Sequence, residues 1–128
     1  MDPDLSRFEQ IAEAARRHLP EPFRSASAEV VIQVRELPDA QMLRDLDMDD
    51  PMELTGLYDG IPLTEKSAFD QPGHPDIVWL FRRPILAEWH ERGNEQLEHL
   101  IGHVLVHELA HHFGWDDDDI ASVDAWWE

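Results

Sequence analysis

The chain contains no cysteine, which excludes disulfides, thiolate metal sites and a cysteine nucleophile and leaves the redox compartment open. It is also poor in basic residues, with 10 Lys and Arg against 28 Asp and Glu, a formal net charge of −18. A surface of that sign repels phosphate backbones and anionic headgroups, so neither nucleic acid nor a membrane is an expected partner. No run approaches the roughly 20 apolar residues of a membrane span. Met1-Asp2-Pro3-Asp4 is acidic where a secretory signal is basic and then greasy. The expectation is a soluble, cytoplasmic protein. At 128 residues and 42% apolar composition, the chain has the length and the hydrophobic content for one domain, residues 1–128, with a packed core.

No internal repeat or low-complexity linker divides the chain. Leu5, Phe8, Ala12, Ala15 and Leu19 recur at three- and four-residue steps and predict an amphipathic first helix. Its start is expected at Asp2 before Pro3, or at Ser6 with Glu9 as a capping box, and its end at Pro20 and Pro22. The β-branched stretch Glu29–Arg35 predicts a strand covered on both faces at its middle. A short helix is expected from Pro38 to Leu46, and the acidic run Asp45–Pro51 reads as a solvated loop. Two short strands are expected around the Asp59-Gly60 turn, within Leu54–Leu63.

Further along, a turn at Gln71–Pro75 precedes a strand at Ile77–Phe81 and a helix from Pro84 to about Glu91. Gly93-Asn94 breaks the chain, with Asn94 as the expected cap of the next helix. From Glu95 to Phe113 there is no proline, and Leu97, Leu100, Ile101, Val104, Leu105 and Phe113 keep helical spacing. This is the longest predicted helix, stopped by Gly114 in a left-handed conformation. A last short helix is expected over Ile120–Trp127. Few strands among several helices imply an α+β fold around a small mixed sheet.

The chemistry is concentrated in His107-Glu108-Leu109-Ala110-His111-His112-Phe113-Gly114. Residues four apart on a helix share a face, with Cβ atoms roughly 5–6 Å apart, so His107 and His111 can converge on one ion at Zn–N distances near ~2.1 Å. Glu108 is turned by about 100° from His107. It borders the ligand face, within reach of a water on the ion but poorly placed to be a ligand itself. In such a site zinc lowers the pKa of its water toward ~7, and Glu108 takes the proton as that water attacks a carbonyl.

Chance is a weak competitor. With 8 His in the chain, random placement yields His-Glu-x-x-His about 0.05 times. Requiring the following glycine and a later acid lowers this to roughly 0.0005.

A third protein ligand leaves one position open for water. Gly114 allows the chain to fold back, and Asp117 stands where the extended His-Glu-x-x-His-x-x-Gly-x-x-His pattern has its third histidine. Asp117 is the preferred ligand, with Asp116, Asp118 and Asp119 as competitors that spacing alone does not remove. The Asp116–Asp119 run lacks the alternating oxygen spacing of a calcium loop.

The sequence resembles the small bacterial zincin-like metallopeptidases, minimal domains with His-Glu-x-x-His-x-x-Gly-x-x-Asp. The likeness extends through Gly56-Leu57-Tyr58-Asp59-Gly60-Ile61-Pro62-Leu63-Thr64-Glu65, Leu80-Phe81-Arg82-Arg83-Pro84-Ile85-Leu86 and Val106–Gly114. It implies a minimal zincin fold, a small sheet packed on the motif helix, with zinc held by His107, His111 and Asp117 and with Glu108 as base. Larger relatives fit poorly. A metzincin needs a Met-turn, yet no Met follows Met52, and a gluzincin needs a glutamate well downstream, where only Glu128 remains.

Other polar residues invite plainer readings. His103 and His99 continue the four-residue spacing; both read as a polar helix face, with His103 also a candidate partner of the site. His112 falls on the apolar side of the helix as a core or boundary residue. Tyr58 and His74 are candidate oxyanion donors, with packing the simpler role for Tyr58. Trp115, Trp126 and Trp127 read as an apolar cover.

The expected activity is zinc-dependent hydrolysis of a peptide or protein substrate lying beside the Ile77–Phe81 strand. The alternative is a metal-stabilised binding or regulatory module with little turnover.

Overall fold

A computed structural model describes residues 2–60 and 75–114, and its centre is a three-stranded mixed sheet. The strands are β1 (Val31–Arg35), β2 (Gly56–Asp59) and β3 (Ile77–Phe81), in the order β1-β3-β2. β1 runs parallel to β3, with Val31 opposite Ile77 and Arg35 opposite Phe81. β2 runs antiparallel to β3, with Gly56 opposite Leu80 and Asp59 opposite Ile77.

Ile77–Phe81 is therefore the middle strand, and the expected place of a substrate beside it is corrected. Both of its hydrogen-bonding edges are occupied, so a peptide has no unpaired backbone groups to meet there. Among the described residues the edge strand nearest the motif is β2. The predicted turn at Asp59-Gly60 does end β2, which pairs with β3 on one edge. Ile61–Leu63 lies outside the described residues, as do the Gln71–His74 part of the predicted turn and the expected helix over Ile120–Trp127.

The helices among the described residues are α1 (Leu5–Arg17), α2 (Phe23–Ala26), α3 (Ala40–Asp45), α4 (Arg82–Arg92) and α5 (Leu97–His112), with a 3₁₀ turn at Pro51–Glu53. This is the α+β arrangement that the sequence implied. Alternation sorts each strand into two faces. Ile32, Val34, Val78 and Leu80 are buried together on one, and α1 and α5 pack across it. The periodicity of α1 puts Phe8, Ile11 and Ala12 inside. From α5 come Leu97, Leu100, Ile101, Val104, Leu105 and Leu109.

The opposite face of the sheet is thinner than the sequence predicts for β1. Val31 is 36% exposed and Gln33 half-buried, and the Arg35 guanidinium lies 5.0 Å above the Trp79 ring. Arg82 fastens the start of α4 to two distant segments. Its Nε donates to the Pro3 carbonyl at 2.7 Å, and its Nη1 donates to the Glu36 carboxylate at 3.1 Å.

Helix ends differ most from expectation, because several acids compete for each cap. Asp4, not Asp2 or Ser6, caps α1 by accepting from the Arg7 N–H at 2.9 Å. Asp39 caps α3 in the same way, and Asp50, within the acidic run, caps the 3₁₀ turn. α5 begins at Leu97 after Gln96, which makes no side-chain cap, so Asn94 does not have the predicted role. Gly93 ends α4 in the left-handed conformation at φ 75°, and Pro84 sits in that helix's first turn as expected.

Leu105 is fully buried where α5 meets the sheet. Leu105→Ala should lower the unfolding free energy by about 2–5 kcal/mol in urea titrations. Leu5→Ala, on the half-open side of α1, should cost less than about 1 kcal/mol.

Candidate metal centre

The rotation of α5 is fixed by its apolar residues, and the motif's position follows from that. With Val104, Leu105, Leu109 and Ala110 turned inward, His107, Glu108 and His111 emerge together, each half-buried. The two imidazoles lie one turn apart, with ring centroids 5.5 Å apart and planes at 80°. One donor atom from each of His107, Glu108 and His111 lies within 4.8 Å of the others. Among the described residues no other cluster of this kind is present.

This donor set fits a divalent cation. Donors about 2.1 Å from a tetrahedral ion stand about 3.4 Å apart, so the two imidazoles can share one ion with the Glu108 carboxylate beside it. Imidazole nitrogens are donors suited to zinc. The Glu108 carboxylate borders the two imidazoles, as its offset along the helix implied. Asp117 and its competitors Asp116, Asp118 and Asp119 lie outside the described residues, as do His74, Trp115, Trp126 and Trp127. The predicted helix stop is present: Gly114 adopts φ 83° and its N–H donates to the His111 carbonyl at 3.0 Å.

Glycine at position 56 sets the distance between the edge strand and the motif. A Cβ there would stand 2.8 Å from Val104 Cγ1 and 3.1 Å from Glu108 Cγ, with the Trp79 carbonyl at 3.3 Å. Only a residue without a side chain lets β2 approach α5 so closely. Sequence reasoning quoted Gly56 within a stretch of family likeness but gave it no role, because the contact joins residues far apart in sequence.

Two cavities flank this approach. One, of about 480 Å³, reaches Glu108 and His111 from the side of Leu46, Met48, Leu54 and Leu57. The other, of about 260 Å³, reaches His107 and Glu108 from the side of Glu53, Glu88, Arg92 and His103. His103 thus borders the site as its spacing allowed. His99 does not: it is exposed, with its ring against the Glu95 carboxylate at 2.9 Å. A third cavity, about 410 Å³, lies between α1 and a different side of α5.

His112 is 4% exposed, as expected of a boundary histidine. Its Nε2–H donates to the Ala26 carbonyl at 3.1 Å, and its Nδ1 is in hydrogen-bond contact with the Tyr58 hydroxyl at 2.9 Å. Asp76 Oδ2 stands 3.7 Å from the same nitrogen. Tyr58 is thereby engaged in joining β2 to α5, the packing role that competed with oxyanion stabilisation. Burial, and after it the Asp76 carboxylate, pushes the Tyr58 phenol above its ordinary 10.0.

Two outcomes follow from this geometry. Gly56→Ala should weaken zinc binding about 10-fold or more, measured by competition with a chelating dye, while circular dichroism stays native. The raised Tyr58 phenol keeps its proton in the folded chain when the unfolded chain loses it. Its contribution to stability is therefore complete below about pH 10 and declines as pH rises through the folded value. Since Tyr58 is the only tyrosine, phenolate absorbance should emerge at higher pH in the native protein than in urea.

No curated protein matches the chain. A family model does, under the description zincin-like metallopeptidase, and it spans residues 27–127. That span takes in the whole sheet, both helices that border the cleft and the motif itself, and the chain belongs to the zincin-like metallopeptidase family.

Proposed function

We propose that the protein is a zinc-dependent peptidase in which His107, His111 and Asp117 hold the metal and Glu108 is the general base. The observation that carries this reading is the convergence of the His107, Glu108 and His111 donor atoms within 4.8 Å beside a sheet edge. The family implies a metal, typically zinc. When bound, Zn²⁺ makes a water acidic near neutral pH and polarises a carbonyl oxygen.

The chain's own residues supply the rest. Glu108 takes the proton of the attacking water and returns it to the departing amine, both within reach of one carboxylate. His107 and His111 present ring nitrogens to the metal, for which protons compete with it. Among the described residues β2 is the outer strand on the motif side, and its backbone edge is where an extended peptide would add as a strand past Glu108. The −18 charge favours cationic substrates through long-range attraction.

Glu108→Gln should reduce kcat/KM on basic peptides by about 10²–10⁴-fold while zinc stoichiometry stays unchanged. His107→Ala or His111→Ala should lose zinc by metal analysis and melt at lower temperature, because metal binding stabilises the folded state. Full metal content in both histidine variants would remove the ligand assignment. Zinc-replete wild type no more active than Glu108→Gln would instead favour a binding module.

A further inference from the structure

His107 and His111 stand at different places along α5. A further turn of helix follows His107, whereas His111 is the penultimate residue and α5 closes at His112. The carbonyls of a final turn have no onward helical partners, and helix ends open locally at little cost. A ligand in that turn is only as well placed as whatever holds the turn. Here a side chain does so. His112 is buried, its Nε2–H donates to the Ala26 carbonyl at the end of α2, and its Nδ1 meets the Tyr58 hydroxyl of β2 at 2.9 Å. Asp76, at the entry to β3, lies 3.7 Å from the same nitrogen and takes a hydrogen bond from the same phenol. Three elements converge on one imidazole, next in sequence to a candidate ligand.

The chemistry of this contact exceeds what packing needs. An apolar residue at position 112 would fill the inner side of α5 with no polar atoms to satisfy. A buried imidazole costs free energy unless its nitrogens are partnered. What it adds is direction, because hydrogen bonds weaken steeply when misaligned, while apolar contacts let a helix end slide or rotate. The Phe113 ring, 5.2 Å from the Phe23 ring of α2, is a contact of that second kind.

We propose that Tyr58 is a positioning residue for the metal, acting through His112: its hydroxyl holds the last turn of α5 so that His111 meets the ion at a set angle. The inference rests on the reading of His107 and His111 as ligands, and adds to it a residue of the sheet that acts on the metal without binding it. The effect falls on His111. His107 is anchored on both sides by the buried Val104, Leu105, Leu109 and Ala110.

Cobalt(II) in place of zinc tests this without turnover, because its visible absorption bands follow the angles between its ligands. Tyr58→Phe removes one oxygen and leaves the ring. It should keep native circular dichroism, bind Co²⁺ about 10–100-fold more weakly and show shifted bands. His112→Asn, which keeps a polar atom where Nδ1 stands, should lose less affinity than His112→Leu. Leu97→Ala loosens the opposite end of α5 and lowers stability, yet should leave cobalt affinity and bands as in the wild type. Wild-type bands and affinity in Tyr58→Phe overturn the proposal. So do equal losses in the two His112 variants, or a Leu97→Ala protein as perturbed as Tyr58→Phe, since stability alone would then account for the change. A wild-type protein that takes up no cobalt removes the ligand assignment, and the positioning role with it.

Discussion

The apolar face of α5 is the constraint on which the rest depends. Leu100, Ile101 and Leu105 are fully enclosed, with Leu97, Val104 and Leu109 nearly so, and together they permit one rotation of the helix against the sheet. At 100° per residue, a slip of one position would carry His107 toward the core and leave a leucine in the cleft. Burying an imidazole without partners costs a few kcal/mol, on top of the packing lost, so the register is strongly held. Placement of the candidate metal-binding side chains is therefore a by-product of core formation.

The close passage of β2 over that helix completes the cleft. Gly56 and Tyr58 share the face of β2 that meets α5, two residues apart, and they do opposite things. Gly56 removes bulk so that Glu108 and Val104 can sit under the strand. Tyr58 extends past them to His112, whose other nitrogen is bonded to α2. One position sets the gap and the other fixes it, so the wall of the cleft is held to the motif at both ends.

What could be read in advance follows from the range of the interactions. His107, Glu108 and His111 were legible because a helix converts a four-residue spacing into proximity, and Gly114 because a helix stop is local. β3 was found with its limits, Ile77–Phe81, since a short run of large apolar residues between turn signals suffices. Its central place in the sheet was not legible, because strand order depends on pairing between Val31–Arg35 and a segment more than forty residues away. The cap of α1 was misplaced for a different reason: Asp2, Asp4 and Ser6 all suit the position, and only the folded backbone selects Asp4. Gly56 gave no periodic signal at all.

The motif lies in the final turns of a helix that closes at His112, so its position has an electrostatic meaning beyond ligand geometry. Aligned peptide dipoles leave about half a negative charge on the last carbonyls of a helix. A dication at His107 and His111 would stand in that field and be drawn toward it, before any side-chain donor is counted. The same polarity opposes the approach of an anion. In this architecture the backbone itself discriminates by sign at the mouth of the cleft.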